Sequence, residues 1–290
     1  MKPWQNIRNY WRLTKPRIWG LLVFTGMIAM LVGYRETGVP FNTQAFVIVA
    51  VSLVLGSASA DVLTNYHDRD IDGIMRRTQK RPIPSGDVSP KSALTFGLSM
   101  AVLSVLVPLL LINALSAGFM LLGLLDNVVV YSLILKRRSW LNIILGGISG
   151  GMPVLVGYSA VAATVSPVAI YMSALVIVWI PTHIWSLAIF SKADYEAAKV
   201  PMLPVVFGED VASVCVALTS ALLAVFSVAL IFLRPNIYYA VSATLLGAVV
   251  LAYSAKLAVD KKRETAWTLF KITSPYLTAI FLVLGATLWY

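Results

Sequence analysis

The chain has 290 residues, 59% of them hydrophobic and 12% charged, with a formal net charge of +10. A mean hydropathy of +0.81 lies far outside the range of a soluble globular domain, so the positive charge reads as a membrane-topology signal with some attraction to anionic lipid, and argues poorly for nucleic-acid binding. The single cysteine, Cys215, excludes an intrachain disulfide and a cysteine metal site.

In chain order, the stretch from Met1 to Pro16 is polar, basic and aromatic. It lacks a short apolar core with a small-residue cleavage site, so no cleavable signal peptide is expected and the first span serves as the signal. Nine apolar segments long enough to cross a bilayer follow, at about 17–34, 44–65, 92–112, 115–135, 141–163, 167–190, 211–233, 237–258 and 267–289. The predicted fold is all-α, a polytopic membrane helix bundle of about nine transmembrane helices forming one domain over residues 1–290. Of the 23 Lys and Arg residues, only Arg35 and Arg234 fall on one side of this span pattern. The positive-inside rule therefore predicts a cell-membrane protein whose N-terminus and loops after spans 2, 4, 6 and 8 are cytoplasmic, with Tyr290 outside.

The loop after span 2 is the densest chemistry in the chain. Asn65-Tyr-His67-Asp68-Arg-Asp70-Ile-Asp72 is followed by Gly73, then by Arg76, Arg77, Lys80 and Arg81. Carboxylates at the end of a span are costly near lipid and imply a ligand. A hard divalent cation with oxygen ligands and substrate phosphates in its shell suits them, and the adjoining Arg and Lys side chains suit phosphate oxygens. The pattern predicts a metal-bridged diphosphate at the membrane surface. If the helix of span 2 continues through Asp72, then Asp61, Asn65, Asp68 and Asp72 share one helical face. Asp70 falls off that face and is expected to be solvated or paired with an Arg.

Later segments add weaker features. Asp126 lies within span 4 and reads mainly as structural, while Asp61 divides between site support and helix–helix bonding. Lys136-Arg137-Arg138 closes span 4 either as a topological anchor or as a phosphate contact. The small-residue runs Gly56–Ala60 and Gly146–Gly151 predict close helix approach, the second with a bend at Pro153. His183, in Pro181-Thr-His183-Ile-Trp185, is either a helix contact or a ligand. The loop after span 6 begins with Lys192, Asp194, Tyr195 and Glu196 and runs to Pro201 and Pro204, on the same side as the first acidic loop. A transporter would place its coupling residues near the bilayer midplane; here the charges gather at one face, which favours chemistry at the cytoplasmic surface.

The combined pattern from Asn65 to Gly86 resembles the first aspartate-rich motif of the UbiA-type intramembrane prenyltransferases. The resemblance continues through Tyr131 to Arg138, Asn142 to Gly147, Pro153, Gly157, Pro181 to Trp185, and Lys192 to Pro204, and covers roughly residues 10 to 210. The first motif carries Thr64 where many members have Asn. The second motif carries Asp194 without a clear paired aspartate, a departure shared with the heme-directed branch that favours heme over a quinone-type acceptor. The resemblance implies transfer of a farnesyl group from farnesyl diphosphate to a vinyl group of protoheme IX, giving heme O. It implies Mg²⁺ held by Asn65, Asp68, Asp72 and Asp194, with Arg77, Lys80, Arg81, Lys136, Arg137 and Lys192 stabilising the leaving diphosphate. Tyr131 and Tyr195 become candidates to shield an allylic cation, and His183 to contact heme. The implied partners are the two substrates, the lipid bilayer and a downstream heme-modifying enzyme or terminal oxidase. A quinone-precursor prenyltransferase is the alternative within the class, and a transporter with an acidic site the alternative outside it.

Overall fold

The computed structural model describes residues 3–289, and Tyr290, expected outside, lies beyond them. The first helix, α1 (Pro3–Leu13), is short and amphipathic. It leaves Ile7 and Trp11 exposed while burying Leu13 completely, as suits a helix lying along a membrane surface. The chain then turns at Lys15, which takes a left-handed backbone (φ +51°), and enters α2 (Pro16–Thr37) with proline at the N-terminus.

There follow α3 (Thr43–His67), α4 (Arg69–Ile74), α5 (Pro90–Leu111) and α6 (Ala114–Leu124), which continues as a π-helix over Leu125–Leu135. Beyond it lie α7 (Asn142–Gly146), α8 (Ile148–Ala162), α9 (Pro167–Phe190), α10 (Lys192–Ala197), α11 (Leu203–Val206), α12 (Gly208–Ala229), α13 (Ile237–Asp260) and α14 (Arg263–Ala286). Several helices start where the sequence supplies a capping oxygen: Asn42, Ser89, Asn113, Ser166 and Asn236 each accept from a backbone N–H three residues on. Among the described residues nine segments are long and apolar enough to span a membrane, and their ends fall within about four residues of those read from the sequence.

Each span packs on the next in chain order, and α14 returns to α2, so the nine close into a ring; α2 against α8 and α9 against α14 add contacts across it. Small residues permit the tightest crossing. A Cβ on Gly157 would lie 1.9 Å from the carbonyl oxygen of Gly26, so α2 and α8 meet backbone to backbone. The interruption in the fifth span falls at Gly147, between α7 and α8, while Pro153 sits inside α8. Asp126, on the π-helix, accepts the backbone N–H of Ser149 at 2.7 Å and so caps the restarted helix.

Charge is segregated by end. Residues of α4, α10, the loop after α4 and the segment after the π-helix lie together at one end of the bundle, the polar face, joined by the contacts described below. At the other end Glu36 accepts from Tyr158 at 2.8 Å, and Arg35 donates to the carbonyl of Leu288.

Candidate active site at the polar face

The α3–α4 junction builds the site. Helix α3 ends at His67 and Asp68 leaves helical geometry (φ −86°, ψ 3°). Even so, Asp68 N–H donates to the Thr64 carbonyl at 2.9 Å and Asp72 N–H to the Asp68 carbonyl at 2.8 Å. This four-residue ladder keeps Asn65, Asp68 and Asp72 on one side across the break. After Gly73 the chain turns, held by the Thr78 hydroxyl donating to the Asp72 carbonyl at 3.0 Å. The loop then folds back, and Arg81 donates to Asp72 Oδ2 at 2.6 Å and to Asn65 Oδ1 at 3.1 Å. Asn65 in turn donates to the carbonyl of Leu13 at 2.9 Å, which ties α1 to the site.

Burial sets the electrostatics. Asn65, Asp68 and Asp72 are 1%, 0% and 2% exposed, a depth at which carboxylates require partners. Lys136, at the end of the π-helix, donates to Asp68 Oδ2 and lies 5.4 Å from the ring centroid of Tyr131. Burial works against its ammonium, but Tyr131 and Asp68 beside it raise its pKa above the ordinary lysine value. The other oxygen, Asp68 Oδ1, is buried with no hydrogen-bond partner. Tyr131 is fixed from behind, since a Cβ on Gly146 would lie 2.5 Å from the Tyr131 Cβ.

The off-face Asp70 pairs with Arg137 through two bonds of 2.6 and 2.7 Å. Those bonds hold its carboxyl at about 2. Arg137 also donates to the His67 carbonyl at 2.8 Å and so braces the helix end.

On the opposing loop, Asp194 accepts the backbone N–H groups of Arg76 and Arg77 at 3.2 and 3.1 Å. It thereby clamps the loop after α4 to α10. Tyr195 is buried and its hydroxyl accepts from the Arg77 guanidinium at 3.5 Å. Lys192 pairs with Glu196 and Glu209 at 3.3 and 3.9 Å, so its ammonium is turned to acidic groups of α10 and α12. Lys80 is exposed, and its backbone carbonyl accepts from Arg12 at 2.9 Å. His183 stands apart from the carboxylates, stacked between Trp179 (4.4 Å) and Phe270 (4.3 Å). Its Nδ1 is bonded to the Thr273 hydroxyl at 2.7 Å. Thr64 bonds to Asn127 at 3.2 Å and to Ser132 at 3.3 Å, so it joins α3 to the π-helix, and the departure from Asn at this position serves helix packing.

Two residues belong to the site that the motif alone does not mark. Lys15 reaches Asp61 Oδ1 at 3.0 Å, both side chains more than four-fifths buried. Burial pulls the Lys15 pKa down against the attraction of Asp61, and the positive charges of Arg81 and Lys136 act in the same direction as burial. Asn142 is completely buried, donates weakly to the Lys136 carbonyl at 3.4 Å and leaves its own Oδ1 without a partner. The signal for Lys15 was Asp61, one turn before Asn65, since a carboxylate at that depth calls for a cation.

Three buried carboxylates are thus matched by three cations, Asp61 with Lys15, Asp68 with Lys136 and Asp72 with Arg81. Among the described residues no group of three or more His, Cys, Asp or Glu side chains closes on a metal position by itself. The cluster sits at one face of a ring of membrane-spanning helices. Residues 22–284 match the UbiA prenyltransferase family, and the chain belongs to it. It is 40% identical over 278 residues to the protoheme IX farnesyltransferase of Thermoplasma volcanium, covering 96% of each chain. It is 41% identical over 298 residues to protoheme IX farnesyltransferase 2 of Cenarchaeum symbiosum, covering 98% of this chain and 96% of that one. A UbiA homologue from Archaeoglobus fulgidus, solved bound to GPP and Mg²⁺, shares the fold with a TM-score of 0.68 at 18% identity, covering 95% of this chain and 99% of that one.

Proposed function

We propose that the protein transfers a farnesyl group from farnesyl diphosphate to a vinyl group of protoheme IX, releasing diphosphate and giving heme O. The observation that carries the transferase chemistry is the buried carboxylate–cation cluster, in which Asp68 presents an oxygen with no partner. The relatives' names support heme as the acceptor. The polar face is cytoplasmic on this reading, because nearly all Lys and Arg lie on its loops.

The residues fit a hard divalent cation. Asp68 Oδ1 is an orphaned anionic oxygen, Asp72 and Asn65 add oxygens beside it, and Mg²⁺ prefers a few carboxylates with substrate phosphates completing its shell. When bound, Mg²⁺ would neutralise diphosphate charge and make it a better leaving group. Asp194, whose oxygens take two backbone N–H groups, supports the site by holding the Arg76–Arg77 loop over it.

The protein's own contribution is charge placement. Arg81 and Lys136 spend the free state on Asp72 and Asp68; a diphosphate offers both cations phosphate oxygens instead, and frees the two carboxylates. Arg77 and Lys80 lie on the loop that returns Arg81, and Arg137 follows Lys136, so the same two segments carry further cations for the diphosphate. As the bond between farnesyl C1 and oxygen breaks, its electron pair leaves with diphosphate, and these fixed cations stabilise the developing charge. Tyr131, whose ring lies 5.4 Å from the Lys136 ammonium, shields the allylic cation from water on this reading. The vinyl carbon then attacks C1, and the resulting cation takes hydroxide from water with loss of a proton.

The test is incubation of the purified full-length protein with protoheme, farnesyl diphosphate and Mg²⁺, followed by mass analysis of the heme pool. A heme increased by farnesyl and hydroxyl is the expected product. Prenylation of a quinone precursor, with heme unchanged, would overturn the acceptor.

A further inference from the structure

Where the ring of spans closes, between α2 and α14, lies a groove of about 690 Å³ whose residues the transferase chemistry above does not use. That volume is within the range of small-molecule sites. Its walls are mainly apolar, with Gly20, Leu21 and Phe24 facing Pro275 and Leu282, and Ser274 near one end. Gly20 borders open space, since a Cβ there would meet nothing within 4 Å.

Positive charge marks one end of this groove. Arg17 lines it directly, and Lys271 precedes Ser274, Pro275, Thr278 and Leu282 at helical spacing, which puts it on the same stripe of α14 one turn nearer the polar face. Because α2 and α14 both run away from the polar face, the two cations stand at the same end. Among the described residues neither forms an ion pair with a carboxylate; Lys271 rests over the Trp267 ring at 5.8 Å. Pro275 also has no N–H to give the Lys271 carbonyl, so the backbone is polar at that point as well.

We propose that this groove recognises the carboxylates of the acceptor, with Arg17 and Lys271 holding the two propionates of protoheme while its apolar macrocycle lies against Gly20, Leu21 and Phe24. The inference rests on protoheme being the acceptor. Charge complementarity selects this occupant: a flat, largely apolar dianion matches an apolar slot with two unpaired cations at one end, whereas the farnesyl chain carries its charge to the Asp68–Lys136 cluster.

The experiment is equilibrium titration of the full-length protein, in nanodiscs of zwitterionic lipid, with protoheme, with protoheme dimethyl ester and with farnesyl diphosphate. The wild-type protein is expected to bind the diacid about 10-fold or more tightly than the diester, the scale of one charge-assisted contact. Arg17→Gln with Lys271→Gln should remove that preference and leave farnesyl diphosphate binding unchanged. Gly20→Leu, whose Cβ would meet no protein atom within 4 Å, should weaken diacid and diester alike. A double variant that still prefers the diacid as wild type does overturns the propionate contact, and Gly20→Leu binding heme normally overturns the groove. In both cases heme remains the acceptor. A wild-type protein that binds no protoheme while binding farnesyl diphosphate removes the acceptor reading and this inference together. Equal loss of heme and farnesyl diphosphate in the Gln variant assigns Arg17 and Lys271 to structure and also overturns it.

Discussion

Asp68 and Lys136 separate stability from catalysis. Asp68 is completely buried and the Lys136 side chain is 13% exposed, so removing either partner strands the other's charge in a poor solvent. Breaking a buried pair costs ~3–5 kcal/mol, and the residual exposure of Lys136 points to the lower end, about 3 kcal/mol, for Asp68→Asn. Lys136→Met leaves Asp68 uncompensated with no exposure and should cost at least as much. The double variant strands neither charge, and its stability should return to within about 1 kcal/mol of wild type, because an amide and a thioether stem can fill the same space. Turnover should behave differently. Each single change removes a fixed electrostatic group and should lower the rate by at least ~10², and the double variant should stay inactive. Denaturant or thermal unfolding in a fixed detergent, with product formation in the same preparation, reads both quantities. A double variant that recovers turnover along with stability would show that the pair only holds the fold, and would refute the diphosphate site. So would a correctly inserted Asp68→Asn protein with near-normal activity.

Gly146→Ala should push Tyr131 out of position, because the new Cβ would lie 2.5 Å from the Tyr131 Cβ. The overpacking is expected to cost ~1–3 kcal/mol and to lower kcat more than it raises KM for farnesyl diphosphate; unchanged kcat would remove Tyr131 from the reacting centre. His183→Ala should weaken heme binding more than farnesyl diphosphate binding, since His183 sits in the Trp179–Phe270 stack away from the carboxylates. Separate titrations decide, and equal loss for both ligands would make His183 a packing residue only. For topology, single cysteines at Ser85 and Val39 in a Cys215→Ser background should react with a membrane-impermeant maleimide from opposite sides, Ser85 from the cytoplasm. Labelling from the same side would overturn the orientation.

Spans were legible in the sequence because the bilayer imposes one length and one polarity on every crossing, which makes hydropathy nearly sufficient. The clustering of Asn65, Asp68 and Asp72 was legible for a related reason: helical spacing carries across the α3–α4 junction because the backbone ladder continues through Asp68. Partners from other helices were not. Lys15 precedes Asp61 by 46 residues, and Lys136 follows Asp68 by 68, so local periodicity holds no record of either pairing. The sequence also places Asp68 and Asp72 at a polar helix end, where amide replacement would leave packing intact. The structure buries both, because α1, the returning Arg81 loop and the end of the π-helix close over them.

The same closure explains how the site can be both buried and ready for a charged ligand. A cavity holding only carboxylates would raise their pKa values and draw protons, and one holding only cations would repel metal. Pairing Asp61, Asp68 and Asp72 with Lys15, Lys136 and Arg81 keeps the cluster close to neutral at low cost in self-repulsion. A prenyl diphosphate trianion with one Mg²⁺ carries a single net negative charge, so its entry exchanges partners within the cluster and shifts the total charge by only about one unit. The barrier to binding is then the geometry of exchange. That geometry is set by the Arg76–Arg81 loop, which Asp194 holds by two backbone bonds.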